Sequence, residues 1–309
     1  MKAIFIFLLS FVSLTISAQS EQVVTITRDS FKIEGTLLIP DINSKMPVVI
    51  IIAGSGPTDR NGNNPFMVNN SLKMIAESLL ENNIASLRFD KRGIGKSATA
   101  SLNESELRFE DYINDVVSWI DFLKKDKRFN QLIVLGHSEG SLIGMIASQH
   151  RQIDKFISVA GSGEKIDVTL KKQLKEQPAF VLEQSTPIID SLAQGHLVKN
   201  VPPFLNSLFR PSVQPYMISW MKYNPQEEIT RLEIPVLIIQ GTTDLQVSVN
   251  DAELLKEANP NANLFIIEGM NHILKNAEAE RMKNLSTYNN QELPLNIDFV
   301  NKVTDFIKN

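Results

Sequence analysis

Two kinds of hydrophobic pattern alternate along most of this chain of 309 residues. Short runs that are apolar at nearly every position are typical of parallel strands buried on both faces. Amphipathic stretches between them indicate helices that cover a sheet. The apolar runs are 48–53, 84–89, 132–135, 156–160, 236–239 and 264–267, and the amphipathic stretches include 71–80, 109–123, 252–258 and 295–307. This alternation predicts an α/β protein with a doubly wound, mostly parallel sheet.

Two further strands are predicted before the first apolar run. Residues 22–26 and 31–40 alternate in character and are separated by Asp29 and Ser30, a pattern that indicates an antiparallel hairpin. Together with the six apolar runs, the hairpin predicts a sheet of eight strands.

The regular alternation breaks once, over residues 165–230, a connection far longer than usual between a strand and the next helix. We expect a helical cap over the carboxyl edge of the sheet; the alternative is an elaboration packed elsewhere on the core. The α/β core would then consist of residues 19–164 and 231–309. The insert is rich in large apolar side chains: Phe204, Leu205, Leu208, Phe209, Tyr216, Met217, Trp220, Met221 and Tyr223.

The N-terminus has the features of a signal peptide. Lys2 precedes an apolar stretch, 3–16, and the small residues Ser17 and Ala18 precede Gln19. This pattern predicts cleavage after Ala18 and export to the periplasm or the medium. The alternative is an uncleaved anchor, although the stretch is shorter than the ~20 residues of a spanning helix. No stable membrane insertion is expected after cleavage.

Composition narrows the class of protein. A hydrophobic content of 43% and a charged content of 21% are those of a globular enzyme. The formal charge of −4, with no long segment of one sign, gives no reason to expect nucleic-acid binding. The chain has no cysteine, which excludes disulfides and thiolate catalysis. The oligomeric state is left open.

The pentapeptide Gly136–Gly140 (GHSEG) directly follows the apolar run 132–135. It matches G-x-S-x-G, in which a serine stands on a tight, strained turn between a strand and a helix. A helix-like segment, 141–148, follows. The context therefore predicts that Ser138 is a nucleophile exposed at the carboxyl edge of the sheet.

A serine nucleophile needs an adjacent base, and the chain contains four histidines. His272 follows the last apolar run, on a loop at the sheet edge where catalytic groups of open α/β sheets converge. His137, inside the elbow, is expected to point away from the partners of Ser138 and to serve packing. His150 is expected to cap helix carbonyls or face solvent, and His196 to lie at the surface. The candidate base is therefore His272.

The base must be oriented by a carboxylate. Asp244 follows the run 236–239 after a short loop, again at the carboxyl edge. In isolation, an aspartate in this position would indicate an Asx-type turn. Ser138, Asp244 and His272 each follow a different parallel strand, which predicts that they form a catalytic triad.

A tetrahedral intermediate also needs N–H donors for its oxyanion. One donor is expected to be the backbone N–H of Glu139, directly after the nucleophile. The second is expected from the loop after the first apolar run, where Gly54 and Gly56 let the backbone turn toward the site. We choose the N–H of Ser55 over those of the two glycines.

From about residue 22 to its end, the chain resembles α/β-hydrolase-fold serine hydrolases, close to the esterase and serine-aminopeptidase-like branch. The order Ser138, Asp244, His272 is the order of that family. Nucleotide and metal sites are not expected: the GKS sequence at 95–97 lacks the first glycine of a phosphate loop, and there is no H-E-x-x-H motif. No cofactor is expected.

Two loops extend the resemblance. Residues 88–97 (RFDKRGIGKS) resemble the family's D-x-R-G-x-G-x-S loop, which implies that Asp90 and Arg92 support the site. Residues 54–63 resemble the oxyanion loop of exported bacterial members, although many relatives have His-Gly where this chain has Ala53-Gly54.

We expect a hydrolase acting on small-molecule carboxylic esters with a small, aromatic or short acyl group. The alternatives are an exported serine aminopeptidase and, from another class, a non-catalytic binding protein with a hydrolase fold. A peptidase would need an acidic group for the substrate α-amine, and Glu139 and Asp59 are the candidates.

Overall fold

The computed structural model describes residues 20–28, 31–40, 44–99 and 102–309. The predicted signal peptide, 1–18, lies outside the described residues. Within these four stretches, every helix is too short or too polar to span a bilayer.

The described residues form one eight-stranded sheet with the order β1-β2-β4-β3-β5-β6-β7-β8. The hairpin β1–β2 is antiparallel, and β2 is also antiparallel to β4; all other pairs are parallel. The predicted fold class is confirmed. The strands are β1 (Ser20–Arg28), β2 (Phe31–Ile39), β3 (Met46–Ile52), β4 (Ala85–Phe89), β5 (Phe129–His137), β6 (Lys155–Val159), β7 (Val236–Gly241) and β8 (Asn263–Ile267).

Helices follow most of the parallel strands, as the alternation predicts. They are α1 (Ser71–Glu81), α2 (Phe109–Lys124), α3 (Glu139–His150), α4 (Ile166–Leu174), α5 (Ala179–Ala193), α6 (Asn206–Phe209), α7 (Gln214–Trp220), α8 (Pro225–Thr230), α9 (Val249–Ala258), α10 (Arg281–Ser286) and α11 (Ile297–Lys308). Short 3-10 turns occur at Gly95–Ser97, Glu104–Glu106, Pro203–Leu205 and Thr287–Asn289.

The central strands are apolar at consecutive positions because the sheet has a hydrophobic core on each face. In β3, Val48 and Ile50 join the core under α2 and α3, whereas Val49 and Ile51 join the core under α1 and α11. Side chains of successive strand residues point to opposite faces, so a strand covered on both sides needs no polar alternation. This arrangement leaves the carboxyl ends of the strands as the open edge.

The last apolar run, 264–267, departs from the pattern. Among the described residues, it forms β8, an edge strand hydrogen-bonded to β7 alone, and Phe265 and Ile266 are 37% and 39% exposed. The expectation that this run is buried on both faces is therefore wrong. The ammonium of Lys302 lies over the ring of Phe265, 4.4 Å from its centroid, and covers part of the apolar surface.

The insert at 166–230 folds as α4 to α8 around a small core of its own, which includes Ile189, Leu192 and Phe209. Trp220 of α7 stacks on Phe109 of α2 with ring centroids 5.6 Å apart, which joins the insert to the main core. Phe204, one of the expected apolar cluster, is instead half exposed.

Candidate active site

Ser138 stands between the end of β5 and the start of α3, with φ of 56° and ψ of −122°. A non-glycine residue at positive φ is strained and persists only where its surroundings hold it. Here the N–H of Ser138 donates to the carbonyl of Val159 (2.9 Å), and its own carbonyl accepts from the N–H of Ser141 (2.9 Å). These bonds fix the strand–turn–helix geometry that the motif predicts.

The two elbow glycines are required because backbone passes directly beside them. A Cβ at Gly136 would lie 2.2 Å from the carbonyl oxygen of Gly140, and one at Gly140 would lie 2.4 Å from that of Ile52. Both distances are far inside van der Waals contact, and no side-chain rotation can relieve them.

Asp244 and His272 meet at the carboxyl edge of the sheet, both with buried side chains. The Nδ1–H of His272 donates to Oδ2 of Asp244 at 2.8 Å. The other oxygen, Oδ1, accepts the backbone N–H groups of Gln246 (2.7 Å) and Val247 (3.0 Å). Asp244 is therefore both the partner of the histidine and the residue of an Asx-type turn. Burial acts to raise the pKa of Asp244, but the charge of His272 and these hydrogen bonds outweigh it and hold the pKa below its usual value.

Ser138 and His272 line the same pocket of about 280 Å³. Across the described stretches, no hydrogen bond joins the hydroxyl of Ser138 to the ring of His272. In hydrolases without substrate this contact is often long, and it tightens when the substrate binds. The structure thus brings all three candidate triad residues to one edge of the sheet, with the Asp–His half already bonded.

The loop after β3 packs directly against the candidate nucleophile. A Cβ at Gly54 would lie 3.1 Å from the Cβ of Ser138, and Ser55 borders two cavities that meet at Ser138. The backbone N–H groups of Ser55 and Glu139 donate to no acceptor within the described part of the protein. Gly56 has φ of 70° and supplies the turn that follows.

A buried ion pair lies behind this loop. Lys91 and Glu139 are each 2% exposed, and Nζ of Lys91 lies 2.7 Å from Oε2 of Glu139. The same ammonium donates to the carbonyl of Gly54 at 2.6 Å, and the hydroxyl of Tyr216 donates to Oε1 of Glu139 at 2.5 Å. Sequence reasoning missed Lys91, whose one signal is its position between Asp90 and Arg92 at the end of a buried strand.

These contacts bear on the two acidic residues considered for a substrate amine. Both carboxylate oxygens of Glu139 are occupied by Lys91 and Tyr216. Oδ1 of Asp59 accepts the backbone N–H groups of Asn61 (2.8 Å) and Asn63 (2.9 Å), which closes the loop locally. Of the two candidates for a substrate amine, Glu139 thus has both carboxylate oxygens engaged, and Asp59 holds its own loop.

Asp90 and Arg92, the two residues expected to support the site, each form a buried ion pair with another part of the chain. Asp90 accepts the backbone N–H of Arg60 (2.8 Å) and pairs with its guanidinium (2.7 Å), which anchors the far end of the loop that begins at Gly54. Arg92 forms a buried two-point ion pair with Asp115 of α2 (2.6 and 3.1 Å). Neither side chain contacts Ser138.

The other histidines divide into one near the site and two away from it. The Nε2–H of His137 donates to the backbone carbonyl of His272 at 2.8 Å, and the two ring centroids are 4.9 Å apart. The expectation that His137 points away from the partners of Ser138 is wrong, because the turn directs its side chain toward the loop of the base. His150 and His196 are exposed, at the end of α3 and after α5.

The strand order, the serine elbow after β5 and the Asp–His pair after β7 and β8 define the α/β-hydrolase fold. The predicted resemblance to α/β-hydrolase-fold serine hydrolases is confirmed by comparison with known proteins. Residues 69–203 match a family model described as serine aminopeptidase, S33. The chain is 26% identical to esterase EstD of Thermotoga maritima over 253 residues, which cover 80% of this chain and 59% of that protein. The chain thus spans 59% of the length of this curated relative.

Solved structures show the same fold at low sequence identity. Est1E of Butyrivibrio proteoclasticus, with ferulic acid bound, is similar with a TM-score of 0.62 and 19% identity, over 92% of this chain and 99% of that chain. Esterase Pf2001 of Pyrococcus furiosus is similar with a TM-score of 0.57 and 17% identity, over 97% of each chain.

Proposed function

We propose that the protein is a carboxylic ester hydrolase that works through an acyl-enzyme. The observation that carries the proposal is the 2.8 Å bond between His272 and Asp244 beside a serine held on a strained elbow. The similarity to esterase EstD supports an ester substrate. In the α/β-hydrolase fold, a serine at the elbow with a paired histidine is suited to acyl transfer.

In the first half-reaction, Oγ of Ser138 attacks the ester carbonyl while Nε2 of His272 accepts the hydroxyl proton. Asp244 stabilises the imidazolium, and the N–H groups of Ser55 and Glu139 donate to the oxyanion. The intermediate collapses as the ester C–O bond breaks and His272 protonates the departing alcohol. Water then repeats the sequence on the acyl-enzyme and releases the acid.

The role of His272 sets the direction in which the substrate lies. Since His272 must protonate the departing alcohol, the alcohol occupies the pocket that His272 lines, beside Gln246 and Tyr288. The acyl group then lies on the opposite side of Ser138, in a smaller cavity of about 90 Å³ under the insert. Its apolar lining, contributed by Leu142, Ile166, Leu170, Trp220 and Val247, suits a short or aromatic acyl group.

A serine aminopeptidase is the second candidate, favoured by the description of the matching family model. A free α-amine needs an unengaged carboxylate close to the nucleophile. Glu139, next to Ser138 in the sequence, has its carboxylate already paired with Lys91. Glu164, which lines the same cavity as Ser138, forms an ion pair with Lys172. We therefore place ester hydrolysis first.

Two experiments test the proposal. Labelling of the protein by a fluorophosphonate reports an activated serine, and a panel of p-nitrophenyl esters beside aminoacyl-anilides separates esterase from peptidase. Ser138→Ala is expected to abolish labelling and to lower kcat by at least ~10⁴-fold. Ser148→Ala is the matched control, because Ser148 lies in α3 and its hydroxyl donates to the carbonyl of Gly144. A wild-type protein that neither labels nor cleaves any ester would refute the proposal.

A further inference from the structure

Lys91 is a buried cation whose contacts lead to both halves of the candidate oxyanion hole. One donor hydrogen bonds the carbonyl of Gly54, and another bonds the carboxylate of Glu139. The ammonium also lies over the ring of Tyr112, 5.0 Å from its centroid. Burial of a lysine ammonium costs free energy unless the charge is paired. Here the ammonium contacts a carbonyl, a carboxylate and an aromatic ring.

The contact with Gly54 fixes the direction of the first oxyanion donor. The peptide unit between Gly54 and Ser55 is planar, so its carbonyl and its N–H point in opposite directions. Because the carbonyl is held toward Lys91, the N–H of Ser55 is directed away from Lys91. Ser55 borders the two cavities that Ser138 also lines, and its N–H donates to no acceptor among the described residues.

The contact with Glu139 fixes the second donor. Glu139 is the first residue of α3, and its backbone N–H is the donor next to the nucleophile. Its side chain points back into the core, where Lys91 holds one oxygen and the hydroxyl of Tyr216 holds the other. One cation thus connects the loop after β3 to the start of α3. These two backbone segments carry the two N–H donors, whose relative position must be fixed for both to reach one oxyanion.

We propose that Lys91, with Glu139 and Tyr216, is a positioning device that sets the distance and direction of the two oxyanion donors. The inference rests on the proposed ester hydrolysis and adds to it a residue outside the triad and the two donor positions. Tyr216 belongs to α7, so the insert contributes to the site through this network as well as through the acyl cavity.

Lys91→Met tests the proposal, with Lys155→Met as the matched control. Lys155 is also a buried lysine that donates to two backbone carbonyls, those of Phe306 and Ile307, but it lies at the start of β6, at the opposite end of the strand from the active site. Removal of one oxyanion donor lowers kcat by ~10²–10³-fold; we expect a displaced donor to lower kcat by ~10–10²-fold, with KM changed less than ~3-fold. Lys155→Met should change the unfolding midpoint and leave kcat within ~2-fold of wild type.

A second readout separates positioning from general damage. A trifluoromethyl ketone forms a hemiketal with the serine and presents an oxyanion, whereas the matching methyl ketone binds without presenting a formed oxyanion. Lys91→Met should weaken binding of the trifluoromethyl ketone by about the factor lost in kcat. The affinity for the methyl ketone should be unchanged. Equal weakening of both ketones, or kcat within ~2-fold of wild type, would overturn the proposal.

Tyr216→Phe covers the case in which Lys91→Met does not fold. It removes one hydroxyl from the network and keeps the ring, and we expect a kcat lower by ~3–10-fold with unchanged KM. Tyr223→Phe is its control, because that hydroxyl donates to Glu110 (3.1 Å) and its ring also packs on Phe109. Equal kcat in the two variants would reject the network. A wild-type protein without esterase activity would instead reject the proposed function, so the two failures are distinguishable.

Discussion

A neutral imidazole, His137, supports the loop that carries the candidate base. It is buried, and its Nε2–H donates to the backbone carbonyl of His272. Burial lowers the pKa of His137 to about 4. The charge of the neighbouring His272 ring acts in the same direction, whereas the hydrogen bond to the carbonyl of His272 and the charge of Asp244 oppose it. At neutral pH the ring is therefore uncharged, and the bond to a carbonyl oxygen assigns its one N–H to Nε2.

This shift gives a prediction for stability against pH. An unfolded histidine has a pKa of about 6.5, so between pH 6.5 and 4 the unfolded chain binds a proton that folded His137 does not. Stability should therefore fall as the pH falls through this window. His137→Phe lacks this pH-dependent contribution. The free energy of unfolding of the wild type, relative to that of the variant, should therefore fall by about 2 kcal/mol from pH 7 to pH 5.

Urea unfolding of both proteins at the two pH values measures this difference. The comparison is needed because Asp115, whose pKa burial raises to about 6, changes stability in the opposite direction over the same range. Its contribution is present in both proteins and cancels. A difference that stays constant between pH 7 and pH 5 would contradict the buried neutral state of His137.

Some residues of the candidate site could be predicted from the sequence, and others could not. Ser138, Asp244 and His272 were predictable because each follows a strand-like run, and strand ends share an edge of the sheet. His137 and Lys91 were not, because their partners lie far away along the chain: 135 residues for the His137–His272 bond and 48 for Lys91–Glu139. Local pattern cannot distinguish a lysine that bridges two backbone segments from one that faces water.

At the scale of elements, the approach of α3 to β3 determines how closely the nucleophile meets the oxyanion loop. Gly140 allows this approach, since its Cα faces the carbonyl of Ile52 at the end of β3. Gly144, one turn later in the same helix, faces side chains of Phe156, Val134 and Ile52 instead. Backbone cannot move without shifting the strand, whereas side-chain ends can adjust by a few tenths of an ångström.

This contrast predicts opposite outcomes for one substitution at two positions of α3. Gly140→Ala should lower the free energy of unfolding by several kcal/mol or prevent folding, through a clash with backbone. Gly144→Ala should be near neutral, because the ~1 kcal/mol gain in helix propensity offsets the crowding. Thermal unfolding of the two variants measures this, and similar losses in both would show that helix packing in general, not the contact with β3, is the constraint.

The edge strand shows the limit of pattern at this scale. The run 264–267 is as apolar as the central strands, yet only the assembled sheet determines that β8 has no second neighbour. The sequence predicts which segments are strands. The order of the strands in the sheet depends on how the connecting segments cross over the sheet and bury apolar surface. That order is a property of the whole chain and cannot be read from a single segment.

At the scale of the whole molecule, the candidate active site is shared between the sheet and the insert. The cavity of about 90 Å³ is lined by Ser138 and Leu142 of the elbow and α3, and by Ile166, Leu170 and Trp220 of the insert. Specificity for the acyl group would then depend on the insert, while the chemistry depends on the sheet. An insert placed elsewhere on the core would have no effect on acyl preference.

Leu170→Ala tests this division of labour. Truncation of a side chain that lines the acyl cavity makes room for about two more methylene groups, each contributing ~0.8 kcal/mol when buried. We expect the ratio of kcat/KM for a hexanoyl ester to that for an acetyl ester to rise by ~10-fold. Val168→Ala, on the same helix at an exposed position, should leave the ratio unchanged. Because the ratio compares two substrates on one protein, a loss of folded enzyme cancels, and an unchanged ratio in Leu170→Ala would mean that the acyl group does not enter the cavity under the insert.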